Sequence, residues 1–307
     1  MADKRLAIFD GNGIVYAAAA ANRLSTEDGR QTGGIHGGIQ SLKAAALVVR
    51  PTAVIVVWDS PDGADRRRRI YPHYKNRRYD SPEVSAFRKD LTAQMDVADA
   101  ILRSLGVLTL RVPGYEADDV IAALALMFKP DESVIVSNDK DFGQLVDEHI
   151  SLYLVARRKT ITNTNFGMFT RDILKAKKLV TRNSLPLFRA LTGDDSDTIP
   201  GIPGIGPVLA AKYVEGCTMP EDLLDKHHDN KGKKVQSMLE NIGMIRTYME
   251  IMNLRQSLED EELVDGIRER LTPPTPDNRK LLALTTEYEL NTIRSHMQSI
   301  QRAFRVI

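Results

Sequence analysis

The sequence predicts an α/β protein: a mostly parallel β-sheet flanked by helices, followed by a helical C-terminal region. Three observations lead there. Short apolar runs without polar alternation, each ending in an acid, recur at Leu6–Asp10 (LAIFD), Ala53–Asp59 (AVIVVWD) and Ser133–Asp139 (SVIVSND), as expected for strands buried on both faces. Helical patterns separate these runs, which favours parallel pairing through crossovers. After about residue 170 the strand signals stop and helical patterns follow one another.

In chain order, Asn12 to Arg23 is Ala-rich and reads as a helix. The glycines of TGGIHGGIQSLKAAALVV open a second one. They lack the Gly-Lys-Ser/Thr ending of a phosphate loop, so close packing is their expected role. Ser81 and Pro82 start a long helical pattern that Gly106 stops. VLTLRV reads as a strand, EADDVIAALALMF as a helix and SLYLV as a further strand. DILKAKKL, LPLFRAL, PVLAAKYV and KVQSMLENIGMIRTYMEIM carry helical spacing. We place a domain boundary near residue 180, giving regions 1–180 and 181–307.

The 307 residues are 42% hydrophobic and 27% charged, enough for a packed core, with a net charge of +1 that by itself announces no nucleic-acid binder. The single cysteine, Cys217, excludes an internal disulfide and a multi-cysteine zinc site. The six histidines show no metal-ligand spacing. No apolar run is long enough to span a membrane, and the chain enters a strand almost at once, leaving no room for a signal peptide. A soluble cytoplasmic protein is expected.

The acids are the informative feature. Asp10, Asp59 and Asp139 each follow an apolar strand, and ligands of an open parallel sheet bind beyond those carboxyl ends. Each alone could simply cap the next helix. Glu116, Asp118 and Asp119 crowd one helix start, however, Asp141 lies two residues past Asp139, and Asp194 and Asp197 form a further pair. Acids gathered on one edge repel unless cations neutralise them, and oxygen donors without Cys or His select Mg²⁺ or Mn²⁺. The number of acids suits two ions, or one ion with an outer shell. Such sites cleave phosphodiesters without a protein nucleophile.

A basic segment follows the Asp59 strand. Arg66, Arg67, Arg68, Arg69, Lys75, Arg77 and Arg78 fall within RRRRIYPHYKNRR, which contains no acid and interleaves Tyr71, His73 and Tyr74. A charge run is usually a solvated face. Here it leaves the acidic edge, and cations beside aromatics suit a nucleic-acid single strand. It also accounts for the neutral total. Further on, IPGIPGIGPVLAAKYV resembles the second half of a helix-hairpin-helix motif. Its glycines permit close backbone approach, and its amides can hold a DNA phosphate without reading sequence. A tight turn with no ligand is the plainer alternative.

Taken together, these residues resemble the 5′-nuclease family: the 5′→3′ exonuclease domain of bacterial DNA polymerase I, bacteriophage 5′-exonucleases and flap endonucleases. The resemblance runs from about Leu6 to about Val214. It is carried by Asp10, Asp59, GYEADD, SNDKDF, GDDSDTIPGIPGIG and HYKNRR, with Asp195 an additional acid. It implies a PIN-like sheet, a helical arch over about 62–95 and a helix-hairpin-helix motif over about 185–216. It implies two Mg²⁺ or Mn²⁺ ions. Asp10, Asp59, Glu116 and Asp118 would hold the first, Asp139, Asp141, Asp194 and Asp197 would lie nearer the second, and Asp119 would serve either. It also implies K⁺ on Gly201, Ile202, Gly204 and Gly206. The catalytic set would be Lys75, Arg78, Asp118 and Asp139. DNA contacts would come from Arg66, Arg67, Tyr74, Lys75, Arg77, Arg78, Arg189, Gly204, Gly206 and Lys212, with Tyr74 stacking on a terminal base. The expected activity is release of 5′ strands from flaps, nicks and ends in replication or repair. A monomer working on DNA with replication proteins is expected, phage-encoded or part of a polymerase I. A PIN-type endoribonuclease and a non-catalytic DNA-structure binder are the alternatives.

Overall fold

In the computed structural model, residues 5–76, 81–128 and 132–304 are described. β1 (Arg5–Asp10) leads into α1 (Gly11–Ala21) and α2 (Gly33–Val49), then β2 (Ala53–Val57), α3 (Asp65–Ile70), α4 (Pro82–Ser104) and β3 (Leu108–Leu110). α5 (Ala117–Met127) precedes β4 (Glu132–Ser137), β5 (Ile150–Leu154) and β6 (Lys159–Ile161). The six strands run in the order β3-β2-β1-β4-β5-β6. β1 to β5 pair in parallel and only β6 is antiparallel. The expected mostly parallel sheet is therefore present.

Period-two alternation splits the strands between two cores. Ala7, Phe9, Val54, Val56, Val134 and Val136 pack on one face with Ile35, Ile39 and Leu42 of α2 and Ile101 of α4. Leu6, Ile8, Ile55, Val57 and Ile135 face α5 through Val120, Ile121 and Leu124. Ser81 caps α4, accepting from the Val84 amide at 3.3 Å, and Pro82 stands at the first helical position.

The rest is helical: α6 (Phe166–Met168), α7 (Leu185–Thr192), α8 (Pro207–Tyr213), α9 (Pro220–His227), α10 (Lys233–Glu240), α11 (Ile242–Met252), α12 (Glu261–Arg268), α13 (Asn278–Glu287), α14 (Asn291–Ser295) and α15 (Met297–Phe304). α7 to α12 share the α5-side core, and α13 to α15 close the other. Two helical expectations need correction. DILKAKKL is not a regular helix: a π-helical turn ends at Ile173, and Lys175 is left-handed with φ 59°. KVQSMLENIGMIRTYMEIM breaks in two at Asn241, whose side chain donates to the Ser237 carbonyl at 2.7 Å, beside the helix-weakening Gly243. Among the described residues no helix is long and apolar enough to cross a membrane.

Candidate active site

β1 lies between β2 and β4, so its carboxyl end opens on the point where the chain's crossovers change direction, the place where such sheets bind ligands. Asp10 ends β1 and caps α1. Its Oδ1 accepts from the Gly13 amide at 2.8 Å and its Oδ2 from the Ser137 hydroxyl at 2.7 Å. A Cβ on Gly13 would lie 2.3 Å from Asp10 Oδ2, so only glycine leaves room for this carboxylate. Asp59, just past β2, accepts from Asn12 Nδ2 at 2.9 Å and from the Ala117 amide at 2.7 Å, which ties the start of α5 to the strand edge. Asp139, beyond β4, accepts from the Asp141 amide at 2.8 Å.

A cleft of ≈ 620 Å³ opens here, and Asp10, Asp59, Glu116, Asp118, Asp139 and Asp197 line it. Arg68 of α3 and Leu91, Thr92 and Met95 of α4 contribute the facing wall. Burial raises the carboxyl of Asp10, against the bonds from Gly13 and Ser137. Burial and then Asp139 hold that of Asp118 well above the usual range. Burial and then Asp141 push Asp139 up to about 7. Burial also raises Asp197, although Lys75 opposes it. Desolvated, mutually repelling oxygen ligands are the environment that a hard divalent cation relieves. Asp10, Asp59, Asp118 and Asp139 therefore fit such an ion by donor type and placement. Among the described residues no three carboxylate, imidazole or thiolate groups are already gathered closely enough to hold one.

Glu116 behaves differently. Burial acts to raise it, but Arg67 and Lys75 outweigh burial and bring it down to about 2. Lys75 Nζ lies 2.6 Å from its Oε1, the Tyr74 hydroxyl donates to Oε2 at 2.9 Å, and Arg67 pairs with Oε2 as well.

Several expected DNA contacts lie elsewhere. Tyr74 is 1% exposed with its hydroxyl on Glu116, so its ring is core and not a platform for a base. Arg67 is buried, donating to Asp119 at 2.8 Å and to the Ile251 carbonyl at 3.1 Å. Arg189 is also buried: its Nε donates to Asp141 at 2.5 Å, its Nη1 to the Gly193 carbonyl at 3.0 Å and its Nη2 to Asp194. These arginines neutralise acids of the site and present nothing to a phosphate. Arg66 is half-exposed, pairs with Asp260 and stacks 5.5 Å from the Tyr115 ring centre. Arg77 and Arg78 lie outside the described residues.

The glycine-rich turn joins α7 to α8. Asp194 and Ile199 bond each other's backbone in both directions, at 2.7 and 2.8 Å, closing the acidic loop. Gly193 and Gly201 pack backbone to backbone with φ 77° and 67°. Gly204 is left-handed at φ 76° and open to its surroundings, Gly206 lies in the ordinary extended region, and Ile202 is buried. Lys212 is exposed on α8, and Asp195 is exposed. Lys234 is not among the residues the sequence marks as DNA contacts. Its Cε is the nearest atom to the Gly204 tip, 3.8 Å from where a Cβ there would sit. The run NKGKK, which leads into α10, was its signal.

A parallel sheet with acids gathered at its switch point, beside a wall that supplies cations, defines a metal-dependent phosphodiester hydrolase. Residues 5–175 match the 5′-3′ exonuclease N-terminal resolvase-like domain, and residues 180–274 match the 5′-3′ exonuclease C-terminal SAM fold. The chain belongs to the 5′-3′ exonuclease family. It is 32% identical to a 5′-3′ exonuclease of Aquifex aeolicus over 302 residues, covering 97% of each chain. It is 35% identical over 246 residues to DNA polymerase I of Deinococcus radiodurans, covering 77% of this chain and 24% of that protein. The fold is similar to that of the T5 5′-exonuclease with bound zinc, at TM-score 0.71 and 18% identity over 87% of this chain and 98% of that one. It is also similar to the bacteriophage T5 flap endonuclease in a pseudo-enzyme-product complex with DNA and metal ions, at TM-score 0.70 and 16% identity over the same shares.

Proposed function

We propose that this 5′-3′ exonuclease hydrolyses DNA at 5′ ends, nicks and flaps, using Mg²⁺ or Mn²⁺ held at the switch-point cleft. The observation that carries the proposal is the juxtaposition in one cleft of Asp10, Asp59, Asp118 and Asp139 with Lys75 and Arg68. The acids hold the metal and the cations meet the phosphate, so both halves of a phosphodiester site face one space. Bound there, the metal supplies a water-derived nucleophile and stabilises the leaving oxygen. Asp10, Asp59, Asp118 and Asp139 orient it, and Lys75 steadies the scissile phosphate.

The turn from Gly201 to Gly206 grips the duplex as a helix-hairpin-helix motif, with K⁺ on its carbonyls and Lys212 and Lys234 beside it. Residues 1–180 form the nuclease domain and 181–307 the duplex-binding region. A monomer acting in the cytoplasm alongside replication proteins completes the proposal. The test is a single-turnover assay on 5′-flap, nicked and single-stranded DNA with Mg²⁺ and with EDTA. Preference for the branched duplexes, abolished by EDTA, is expected. Equal cleavage of all three, or cleavage in EDTA, would overturn it.

A further inference from the structure

A second cavity, of ≈ 380 Å³, lies at the outer edge of the sheet, where β3 is the last strand. Trp58 and Asp59 are neighbours just past β2, yet Trp58 lines this cavity and Asp59 the cleft, while Arg111 lines both. Asp99 and Arg103 of α4 and Arg270 after α12 add to its wall. Trp58 is 1% exposed, and among the described residues neither its indole Nε1 nor the buried Oδ1 of Asp99 has a hydrogen-bond partner. Buried polar atoms are costly to leave unpaired, so both ask for an explanation. The arginines are only partly used. Arg111 meets Asp96 through Nη2 at 3.1 Å, and Arg270 meets Glu269 at 3.1 Å and the Gly266 carbonyl at 2.8 Å through Nη1. Arg103 donates to the Thr109 hydroxyl at 3.2 Å and, among the described residues, pairs with no carboxylate.

We propose that this cavity binds a nucleoside 5′-monophosphate, with the phosphate on Arg103 and Arg270 and the base edge on Trp58 and Asp99. A phosphomonoester offers several acceptor oxygens to guanidinium forks, and Arg103 has no competing acid to give up. The other half of the ligand follows from the two unpaired atoms. An indole N–H needs an acceptor, and the Asp99 carboxylate repels a bare anion and needs a donor. Adenine carries an amine donor beside a ring-nitrogen acceptor, which supplies both. The cavity falls within the roughly 300–1,000 Å³ of small-molecule pockets, large for one ion and fitting for a nucleotide. No metal and none of the cleft acids takes part, so this site is independent of the cleavage proposed above.

Trp58 is the chain's single tryptophan, so its fluorescence reports on the cavity directly. The test is titration of the metal-free chain in EDTA with dAMP, with deoxyadenosine and with inorganic phosphate. A saturable change in Trp58 emission is expected with dAMP, and either fragment should bind at least tenfold more weakly, because each satisfies only half of the wall. Arg103→Ala should weaken dAMP at least tenfold, the loss of a charge-assisted contact. Arg103 is exposed, so this variant should melt as the natural chain does. Arg68→Ala removes a cation of the cleft that does not line this cavity, and should leave dAMP affinity within about twofold. No response to dAMP, a fragment binding as tightly as dAMP, or a response kept in Arg103→Ala and lost in Arg68→Ala would each overturn the proposal.

Discussion

Lys75 Nζ stands 2.6 Å from Glu116 Oε1, so a cation of the segment after α3 is anchored to the head of α5. The same lysine is left-handed at φ 46°, its amide donates to the Asp197 carbonyl at 3.0 Å, and its Nζ lies 3.6 Å from Asp197 Oδ1. One residue therefore links the basic segment, α5 and the acidic loop before α8. Most of the cleft's acids stand on strand ends and the head of α5, and Lys75 is a cation that lines it beside Arg68.

For this reason Lys75→Ala should act on turnover. A charge that meets the phosphate only as the reaction proceeds stabilises the transition state more than the bound complex. Single-turnover cleavage at saturating flap DNA should fall by about 10²-fold or more, the effect of losing one positioned electrostatic donor. Arg66→Ala removes a half-exposed cation and should weaken binding, lowering the salt slope by about one unit. Full rescue of Lys75→Ala by more enzyme or less salt would reduce Lys75 to a binding contact.

Asp118→Asn and Asp139→Asn should abolish cleavage while leaving DNA affinity equal or higher, because each removes a negative charge beside the phosphate path. Gel-shift affinity and Mg²⁺-dependent rate, measured on the same preparation, check this. A wild-type rate in either variant would remove that acid from the metal site.

The raised carboxyls set a pH dependence whose sign follows from linkage. Asp139 sits at about 7 in the fold, against an ordinary value of 3.8, so the metal-free native state binds protons that the unfolded chain has released. Metal-free stability should therefore fall as pH rises from about 4 toward 7. Metal binding needs the ionised form, so Mg²⁺ affinity should rise across the upper part of that window and release protons as it does. Melting scans with EDTA and with Mg²⁺ at stepped pH should show the two trends opposed. Parallel curves would place Asp139 outside the ion's reach.

The strand-end acids were legible in the sequence because an apolar run fixes which end of a strand carries the polar residue. Asp10, Asp59 and Asp139 reach the cleft by that rule alone. The roles of Arg67, Tyr74 and Arg189 were not legible. A basic run reads as solvated, but Arg67 and Tyr74 are turned inward onto Glu116, more than forty positions away at the N-cap of α5. Arg189 is drawn inward by Asp141, 48 positions earlier, and only tertiary packing sets that pair. The short antiparallel β6 carries too few residues for a period to show. The break at Asn241 was visible only as an Asn and a Gly inside an otherwise helical pattern.

The turn between α7 and α8 separates fold from binding at two glycines. Gly193 has φ 77°, and a Cβ there would sit 2.4 Å from the Ile199 carbonyl oxygen, within the loop that carries Asp194 and Asp197. Gly193→Ala should therefore destabilise the chain and lower metal affinity together, with about 1–2 kcal/mol from the left-handed backbone alone and more from the clash. Gly204 has a similar φ of 76°, but among the described residues, its chain neighbours aside, the nearest atom to its would-be Cβ is Lys234 Cε at 3.8 Å. Gly204→Val should cost stability only through backbone strain, yet its branched side chain would cover the hairpin tip and push Lys234 aside. Duplex affinity should drop at least tenfold while single-strand affinity stays within about twofold, and Lys234→Ala should reproduce part of the duplex loss without the stability loss. Thermal melting sorts the two glycines, and binding to blunt duplex against single strand sorts the Gly201–Gly206 turn from the cleft. Equal losses on both DNAs for Gly204→Val would mean that the tip does not touch the duplex, and the cleft would then have to hold its substrate through the single-stranded arm alone.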